Sequence, residues 1–289
     1  MKAVIFNLIA WSLLPIMDGM AKHLSMELPV LEVVWARYFF MVVISLPLIF
    51  IFFRKHLSWP KNIQIQLSRS LFLFLSTIFF FYSISIISLT ESLTLAFIYP
   101  VLVTLLSATI LKEKVGLRRW IAVVVGFIGV VIILRPGFNT ISLASLAALG
   151  TGICYSFYVI TTRKLSSLDH PLLTLIFTGL IGAIIISLIV PFVWITPSYN
   201  QLIIMIGLAL AGTLGHFLLI LSFNFAESSK LAPFAYFEIV TNILIAYYFF
   251  GDLPDNWIWA GLIIIISSGV YITFREHVVK KIKTEPTIH

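Results

Sequence analysis

Charged residues are scarce in this chain of 289 residues: 11% are Asp, Glu, Lys or Arg, whereas 60% are hydrophobic. In soluble domains about a quarter of the residues are charged, so this composition excludes an ordinary soluble protein. The apolar runs are about 20 residues long, the length of a membrane-spanning helix, and they lack the short alternating pattern of barrel strands. We therefore interpret the chain as an all-α integral membrane protein.

Cysteine is nearly absent as well. The one cysteine, Cys154, lies inside an apolar run, which excludes a disulfide framework or a cysteine-based metal site within this chain. The sequence has no Walker A loop and no HExxH or GxSxG motif, so we expect no enzyme activity, no cofactor and no metal. The net charge of +7 comes from small basic clusters between apolar runs. This placement indicates helix orientation and not nucleic-acid binding.

Hydropathy and helix-breaking residues predict ten transmembrane helices joined by short connections. The predicted spans are 3–22, 30–53, 67–88, 92–111, 118–135, 142–162, 171–195, 202–224, 231–250 and 256–274. A polar tail over 277–289 follows the last span. The first span is too long for the apolar core of a signal peptide and lacks its cleavage site, so we expect it to be retained.

Basic residues divide unequally between the two sides of the membrane. With a cytoplasmic N-terminus, 16 of the 19 Lys and Arg residues, Arg69 among them, fall at cytoplasmic loops or helix ends. Lys22 and Arg135 fall outside, and Arg37 is the only one placed deep in a span. Because basic residues accumulate on the cytoplasmic side, we expect both termini to be cytoplasmic, in a bacterial inner membrane.

The two halves of the chain resemble each other. MDGMAKHLS near the end of the first span is similar to YVITTRKLS near the end of the sixth, and LKEKVGLRRWIAVVVGFIGVVI is similar to FGDLPDNWIWAGLIIIISSGVYI. The halves, 1–136 and 137–276, each hold five predicted spans. An odd number of spans places the second copy in the membrane with the opposite orientation. The sequence therefore predicts an inverted 5+5 repeat, which is typical of secondary transporters with a site near the bilayer midplane.

These motifs also carry a resemblance to a known family. The run E-x-x-x-L-x-R-W-x-x-x-x-x-G-F-x-G-V from Glu113 to Val130, the segment LAPFAYFE and the two five-span halves resemble the EamA-type drug/metabolite transporter superfamily over essentially the whole chain. The resemblance implies a ten-helix metabolite carrier that works by alternating access. That family includes exporters of amino acids and drugs and importers of riboflavin and S-adenosylmethionine. The segment from APFAYFE to FGDLP is most similar to the two importers.

Glu238 is a carboxylate inside the ninth predicted span, about 10 Å from the cytoplasmic interface by helix rise. Burying a charge there costs free energy, so Glu238 either lines a functional cavity or is protonated or tied to a neighbouring helix. Asn242, four residues later, shares its helix face, and Tyr236 lies two residues before it. Arg37 in the second span must pair across helices or bind an anionic group of a substrate.

Asp18 has two interpretations: an exposed helix-end pair with Lys22, four residues later, or a group that lines the cavity. His216 is either a buried neutral side chain or a proton relay. Trp11, Tyr99, Tyr155 and Tyr158 are candidates for stacking on a planar substrate, although aromatic residues make up 15% of the chain and most of them pack or face lipid. Pro100, inside the fourth span, predicts a kink.

We interpret the chain as a secondary active transporter of a small metabolite, with membrane lipids and a coupling proton or counter-substrate as partners, acting as a monomer or homodimer. S-adenosylmethionine, which is cationic and carries a purine, fits a spare intramembrane carboxylate. Riboflavin would rely on the aromatic residues, and an amino acid would fit a zwitterion site made from Arg37 and Glu238. A lipid-modifying enzyme would need polar residues clustered near one interface, which the sequence does not show.

The uneven distribution of charge makes a topological prediction. A reporter fused to the C-terminus should report the cytoplasm, and a cysteine placed at Tyr199 should react with an impermeant thiol reagent added outside intact cells. A periplasmic C-terminus would mean that the span count is wrong by one.

Overall fold

The computed structural model describes residues 2–52, 59–110, 117–134, 142–165, 168–225, 234–235 and 237–284, and within these ranges the chain forms helices and no strand. The helices are α1 (Lys2–Leu24), α2 (Val30–Phe52), α3 (Ile63–Ile84), α4 (Leu89–Ala96), α5 (Tyr99–Thr109), α6 (Leu117–Leu134), α7 (Leu143–Leu165), α8 (Pro171–Ile189), α9 (Tyr199–Phe225), α10 (Phe237–Phe250) and α11 (Asn256–Thr284). A short 3-10 turn, Val190–Phe192, follows α8.

Six of these helices, α1, α2, α3, α7, α8 and α9, are long and apolar enough to cross a membrane by length and composition. Four shorter apolar helical stretches, Leu89–Val103, Val124–Ile133, Phe237–Phe250 and Asn256–Ser268, lie where the other four spans are predicted. Large apolar side chains such as Leu188 and Phe249 are 71% and 78% exposed on the outside of the bundle. Such a surface is suited to lipid, and the protein is a multi-pass membrane protein.

The fourth predicted span is broken where the sequence predicts a kink. α4 ends at Ala96 and α5 begins at Tyr99, with Pro100 in its first turn. Proline is favoured at a helix start because its missing N–H has no partner there in any case. The described part of the ninth span begins as a helix at Phe237 and ends at Gly251, whose φ of +68° fits a left-handed C-terminal cap. The predicted start of this span, residues 231–233, lies outside the described residues.

The last helix is longer than the sequence predicts. The tenth span is expected to end near residue 274, with a polar tail beyond it, but α11 continues as one helix to Thr284. The third span also differs, because Asn62 caps α3 by accepting a hydrogen bond from the Ile65 amide at 3.0 Å. α3 therefore begins at Ile63 and not at residue 67, and it ends at Ile84.

Helix contacts in the first half have counterparts in the second half. α1 packs against α9 and α10, and α7 packs correspondingly against α3 and against α4 and α5. α2 packs against α8 and α9, whereas α8 packs against α2 and α3. α6 packs against α11, and α4 against α10. This arrangement places the break between α4 and α5 and the start of α10 beside α1 and α7, around the centre of the bundle.

Glycines allow α6 and α11 to approach closely. A Cβ atom built on Gly261 would lie 2.7 Å from the carbonyl oxygen of Gly129, and one built on Gly129 would lie 3.0 Å from the carbonyl oxygen of Gly261. Small residues at such crossings let two backbones meet, which is a main source of helix association in membranes. The two helices are therefore held together through backbone contact at these positions.

Gly261→Ala should destabilise the protein by about 1–3 kcal/mol, because the added methyl meets backbone that cannot rotate away. Gly207→Ala is the matched control, since its Cβ would lie 3.4 Å from the terminal methyl of Met20, which is flexible. The measurement is the thermal unfolding midpoint of both variants in detergent. Equal midpoints would contradict a close crossing of α6 and α11.

Candidate substrate-binding site

A cavity lies at the centre of the bundle, beside the break between α4 and α5 and the first turn of α10. It holds about 90 Å³ of space for the centres of water molecules. Since one water needs about 10–15 Å³ on this measure, several waters fit inside. Eight helices contribute to its wall, and the lining residues are Trp11, Leu14, Met17, Asp18, Arg37, Leu73, Ser76, Thr77, Phe80, Leu93, Ala96, Phe97, Tyr99, Thr151, Tyr155, His216 and Glu238.

The structure brings most of the candidate residues from the sequence to this cavity. The ones that line it are Trp11, Asp18, Arg37, Tyr99, Tyr155, His216 and Glu238. Tyr158 lines a smaller cavity on the far side of Arg37. Asn242 is fully buried one turn beyond Glu238, and neither atom of its amide has a hydrogen-bond partner among the described residues. Tyr236 lies outside the described residues.

Asp18 is a cavity residue, so its interpretation as half of an exposed helix-end pair is wrong. Its side chain is only 4% exposed. Lys22 is also buried, and its ammonium donates to the backbone carbonyls of Ile84 at 3.0 Å and Ile87 at 2.9 Å. These carbonyls lie at and just beyond the C-terminus of α3, where a cation is favoured. Lys22 therefore caps the C-terminus of α3 and does not pair with Asp18, which lines the cavity.

Glu238 lies in the first turn of α10 and is 8% exposed. The first turn of a helix favours a negative charge, because its unpaired N–H groups form the positive end of the helix dipole. Asp18 lines the same cavity as Glu238. Among the described residues, neither side chain forms an ion pair or a hydrogen bond, so both remain available to a cation or a proton. No group of three His, Cys, Asp or Glu side chains in the described ranges could hold a metal ion.

Arg37, on α2, lines the same cavity. Its guanidinium donates to Thr77 Oγ1 at 2.9 Å and lies 2.9 Å from Nε2 of His216. Arginine can only donate, so Nε2 of His216 accepts and the ring proton is on Nδ1. That Nδ1 atom is buried without a partner in the described part of the chain. Both partners of Arg37 are neutral, and its positive charge is not cancelled by direct contact with a carboxylate.

Arg69 is a second buried guanidinium, which the sequence interpretation missed. It is 1% exposed and donates to Thr162 Oγ1 at 2.8 Å, Thr178 Oγ1 at 2.7 Å, Tyr158 Oη at 3.0 Å and the Thr174 carbonyl at 3.3 Å. Arg69 therefore lies inside the bundle and not at a helix end, and the expectation that Arg37 is the only basic residue deep in a span is wrong. The capping residue Asn62 could have revealed this, because an earlier helix start moves Arg69 about two turns into α3.

Aromatic side chains form the remaining walls. Trp11 is oriented by its indole N–H, which donates to Asn7 Oδ1 at 3.0 Å, and Asn7 in turn donates to Ser222 on α9 at 3.2 Å. The rings of Tyr99 and Tyr155 meet edge to face with centroids 4.9 Å apart. The cavity therefore combines two carboxylates, a guanidinium and fixed aromatic faces, which suits a molecule that is both charged and planar.

Comparisons with known proteins identify a family. The model of the EamA-like transporter family matches this chain twice, over residues 1–135 and 142–275. The S-adenosylmethionine uptake transporter of Rickettsia prowazekii is 28% identical over 275 residues, which cover 93% of each chain. The riboflavin transporter of Vibrio cholerae is 30% identical over 206 residues, covering 68% of this chain and 66% of that protein.

A solved structure shares the fold. One crystal structure superposes with a TM-score of 0.68 over 96% of this chain and 98% of its own, at 15% sequence identity. Identity this low indicates a common architecture, and it carries no information about the substrate.

Arg69→Lys tests the buried network around the second guanidinium. Lysine keeps the charge but has three donors and no planar fork, so at least one of the four hydrogen bonds is lost. Each hydrogen bond from a charged group contributes about 1.5–3 kcal/mol, so the variant should unfold at a lower temperature than the wild type. Thr162→Val, which removes a single acceptor, should have a smaller effect. An unchanged unfolding midpoint for Arg69→Lys would contradict the network.

Proposed function

The chain belongs to the EamA-like transporter family, and from that premise we propose that it is a secondary active transporter of the bacterial inner membrane. It moves a small metabolite by alternating access, with S-adenosylmethionine as the leading candidate. A transporter of this kind changes the location of its substrate and not its covalent structure, so the protein is not an enzyme. Its partners are the substrate, membrane lipids and a coupling proton or counter-substrate, and it acts as a monomer or homodimer.

We further propose that ten spans are arranged as an inverted 5+5 repeat with both termini in the cytoplasm. The matching helix contacts of the two halves support this arrangement. The break between α4 and α5 and the start of α10 near the cavity also support it, because inverted-repeat carriers bind substrates at interrupted helices near the midplane. On this proposal, 1–136 and 137–276 are the two repeats, and 277–289 is the cytoplasmic tail.

The observation that carries the choice of substrate is a pair of carboxylates, Asp18 and Glu238, that have no hydrogen-bond or ion-pair partner among the described residues and that lie in a cavity walled by aromatic rings. S-adenosylmethionine has a sulfonium and an ammonium group that such carboxylates would attract, and a purine that aromatic side chains would stack against. Four curated relatives described as S-adenosylmethionine uptake transporters, at 27–28% identity over 93% of this chain, support the same choice.

Riboflavin is the second candidate, favoured by the aromatic walls and by relatives described as riboflavin transporters. Riboflavin is planar and uncharged, so it would use Trp11, Tyr99 and Tyr155 and leave both carboxylates without a partner. An amino-acid or drug exporter of the same family is a third candidate. A lipid-modifying enzyme, the candidate from another class, has no support in the cavity, which lies at the bundle centre and not at one interface.

Uptake into proteoliposomes separates these candidates. The purified full-length chain is reconstituted, and labelled S-adenosylmethionine, riboflavin and a set of amino acids are offered with and without a pH gradient. We expect saturable uptake of S-adenosylmethionine. Uptake of riboflavin alone would support riboflavin as the substrate and exclude S-adenosylmethionine. If folded protein takes up none of the offered compounds, both candidates are contradicted.

Glu238→Gln should insert normally and transport poorly. The substitution preserves shape and removes one charge, so transport should fall about 10- to 100-fold, the range expected for the loss of a charge-assisted hydrogen bond. If Glu238 carries the coupling proton, uptake should lose its dependence on the pH gradient while substrate exchange survives. If it binds a cationic group of the substrate, exchange should fail as well.

Glu27→Gln is the matched control for this substitution. Glu27 is exposed outside the cavity, where it accepts a hydrogen bond from Gln201 at 2.6 Å. Its variant should transport like the wild type. Wild-type uptake and exchange in Glu238→Gln would show that Glu238 only packs.

A further inference from the structure

Arg37 separates two cavities. Arg37 lines the central cavity together with Asp18 and Glu238, and it also lines a second, small cavity of about 10 Å³ together with Arg69 and His216. Arg37 is 7% exposed. A cation at this depth needs an anion or strong compensation from neighbouring dipoles.

The neighbours of Arg37 fix the orientation of its guanidinium without neutralising its positive charge. Thr77 and His216 occupy two of its five N–H donors, which leaves donors that can reach a ligand. Thr77 is itself fixed, because its hydroxyl donates to the Leu73 carbonyl at 2.9 Å and lies 2.9 Å from the hydroxyl of Tyr38. The guanidinium is therefore pre-organised, and a ligand would lose little entropy in ordering it.

Arg69 adds to the positive potential behind Arg37. Four hydrogen bonds to neutral groups and the ring of Tyr158, 4.6 Å from the guanidinium carbon, hold Arg69 in place. In the described residues, no carboxylate oxygen lies within ion-pair distance of either guanidinium. Two fixed cations with neutral partners make this wall of the central cavity attractive to an anion.

The carboxylates of Asp18 and Glu238 line the same central cavity as Arg37. Arg37 donates to Thr77 and lies beside His216, and among the described residues neither carboxylate forms an ion pair with it. A molecule with a cationic group at one end and an anionic group at the other would satisfy all three side chains at once. A neutral planar molecule or a purely cationic one would leave Arg37 without a partner.

We propose that Arg37, with Arg69 as the positioning residue behind it, binds the carboxylate of a zwitterionic substrate of the amino-acid type whose cationic group faces Asp18 and Glu238. This inference rests on the proposed function, because it takes the central cavity as the substrate-binding site, and it names the substrate class. A bound chloride ion has the same chemistry as a carboxylate at this wall, so the test below separates the two.

The test uses pairs of ligands that differ by the carboxylate alone. The full-length chain in nanodiscs is titrated with S-adenosylmethionine and with its decarboxylated analogue, and then with L-methionine and L-methioninol, with ligand-induced thermal stabilisation as the readout. We expect the carboxylate-containing member of at least one pair to bind about tenfold more tightly or better, the loss expected for one charge-assisted hydrogen bond. Equal affinities within both pairs, or binding of none of the four, would overturn the proposal.

Arg37→Gln should abolish that preference, and Lys61→Gln, at an exposed position outside the cavity, should keep it. A preference that persists in Arg37→Gln would place the carboxylate elsewhere and overturn the proposal. If Arg37→Gln does not fold, the affinities of the wild-type protein for the two ligand pairs still test whether the site prefers a carboxylate. Each titration is repeated with methanesulfonate, which has no carboxylate, in place of chloride, and a site that takes chloride without a carboxylate preference also overturns the proposal.

The transport assay separates this inference from the proposed function. Uptake of S-adenosylmethionine without any carboxylate preference would leave the proposed function standing and remove the carboxylate site. A carboxylate preference without uptake of S-adenosylmethionine would keep the site and remove that substrate.

Discussion

The structure depends on how a mostly apolar bundle holds charges far from bulk water. An ionised side chain in the middle of a membrane must face water, a partner or a dipole, because the surrounding hydrocarbon cannot solvate it. Here Asp18, Arg37 and Glu238 all face one cavity with room for several waters. The helices are arranged so that the side chains whose burial in lipid would cost the most free energy share one polar cavity.

Interrupted helices make that polar space possible. α4 ends at Ala96 and α5 begins at Tyr99, so the fourth span is interrupted at a point where Phe97 and Tyr99 line the cavity. Glu238 benefits from its position in the first turn of α10, where the helix dipole favours its charge. Close helix crossings at Gly129 and Gly261 compensate for the lost regularity by bringing α6 and α11 into backbone contact.

The neutral partners of the arginines have a functional consequence. A carboxylate in direct contact with Arg37 would cancel its charge, whereas Thr77 and His216 fix its orientation and leave its charge in place. Arg69 is held in the same way by hydroxyl and carbonyl groups. The cavity therefore presents fixed charges of both signs beside aromatic walls, an arrangement suited to recognising a small charged metabolite in a solvent-poor environment.

The sequence by itself determined the class of the protein, because composition and the length of apolar runs decide whether a chain can exist in water or in lipid. It also predicted the kink at Pro100 and identified the three ionised side chains of the cavity, Asp18, Arg37 and Glu238, because an ionisable side chain in an apolar run must face a cavity or a partner. Only the tertiary structure decided that Lys22 caps α3, that Asp18 is free and that Arg69 is buried beside Arg37. These outcomes depend on a helix start four residues earlier than predicted and on contacts between residues such as Lys22 and Ile84 or Arg69 and Thr178. Local patterns do not encode contacts between residues far apart in the chain, because the packing of whole helices fixes them.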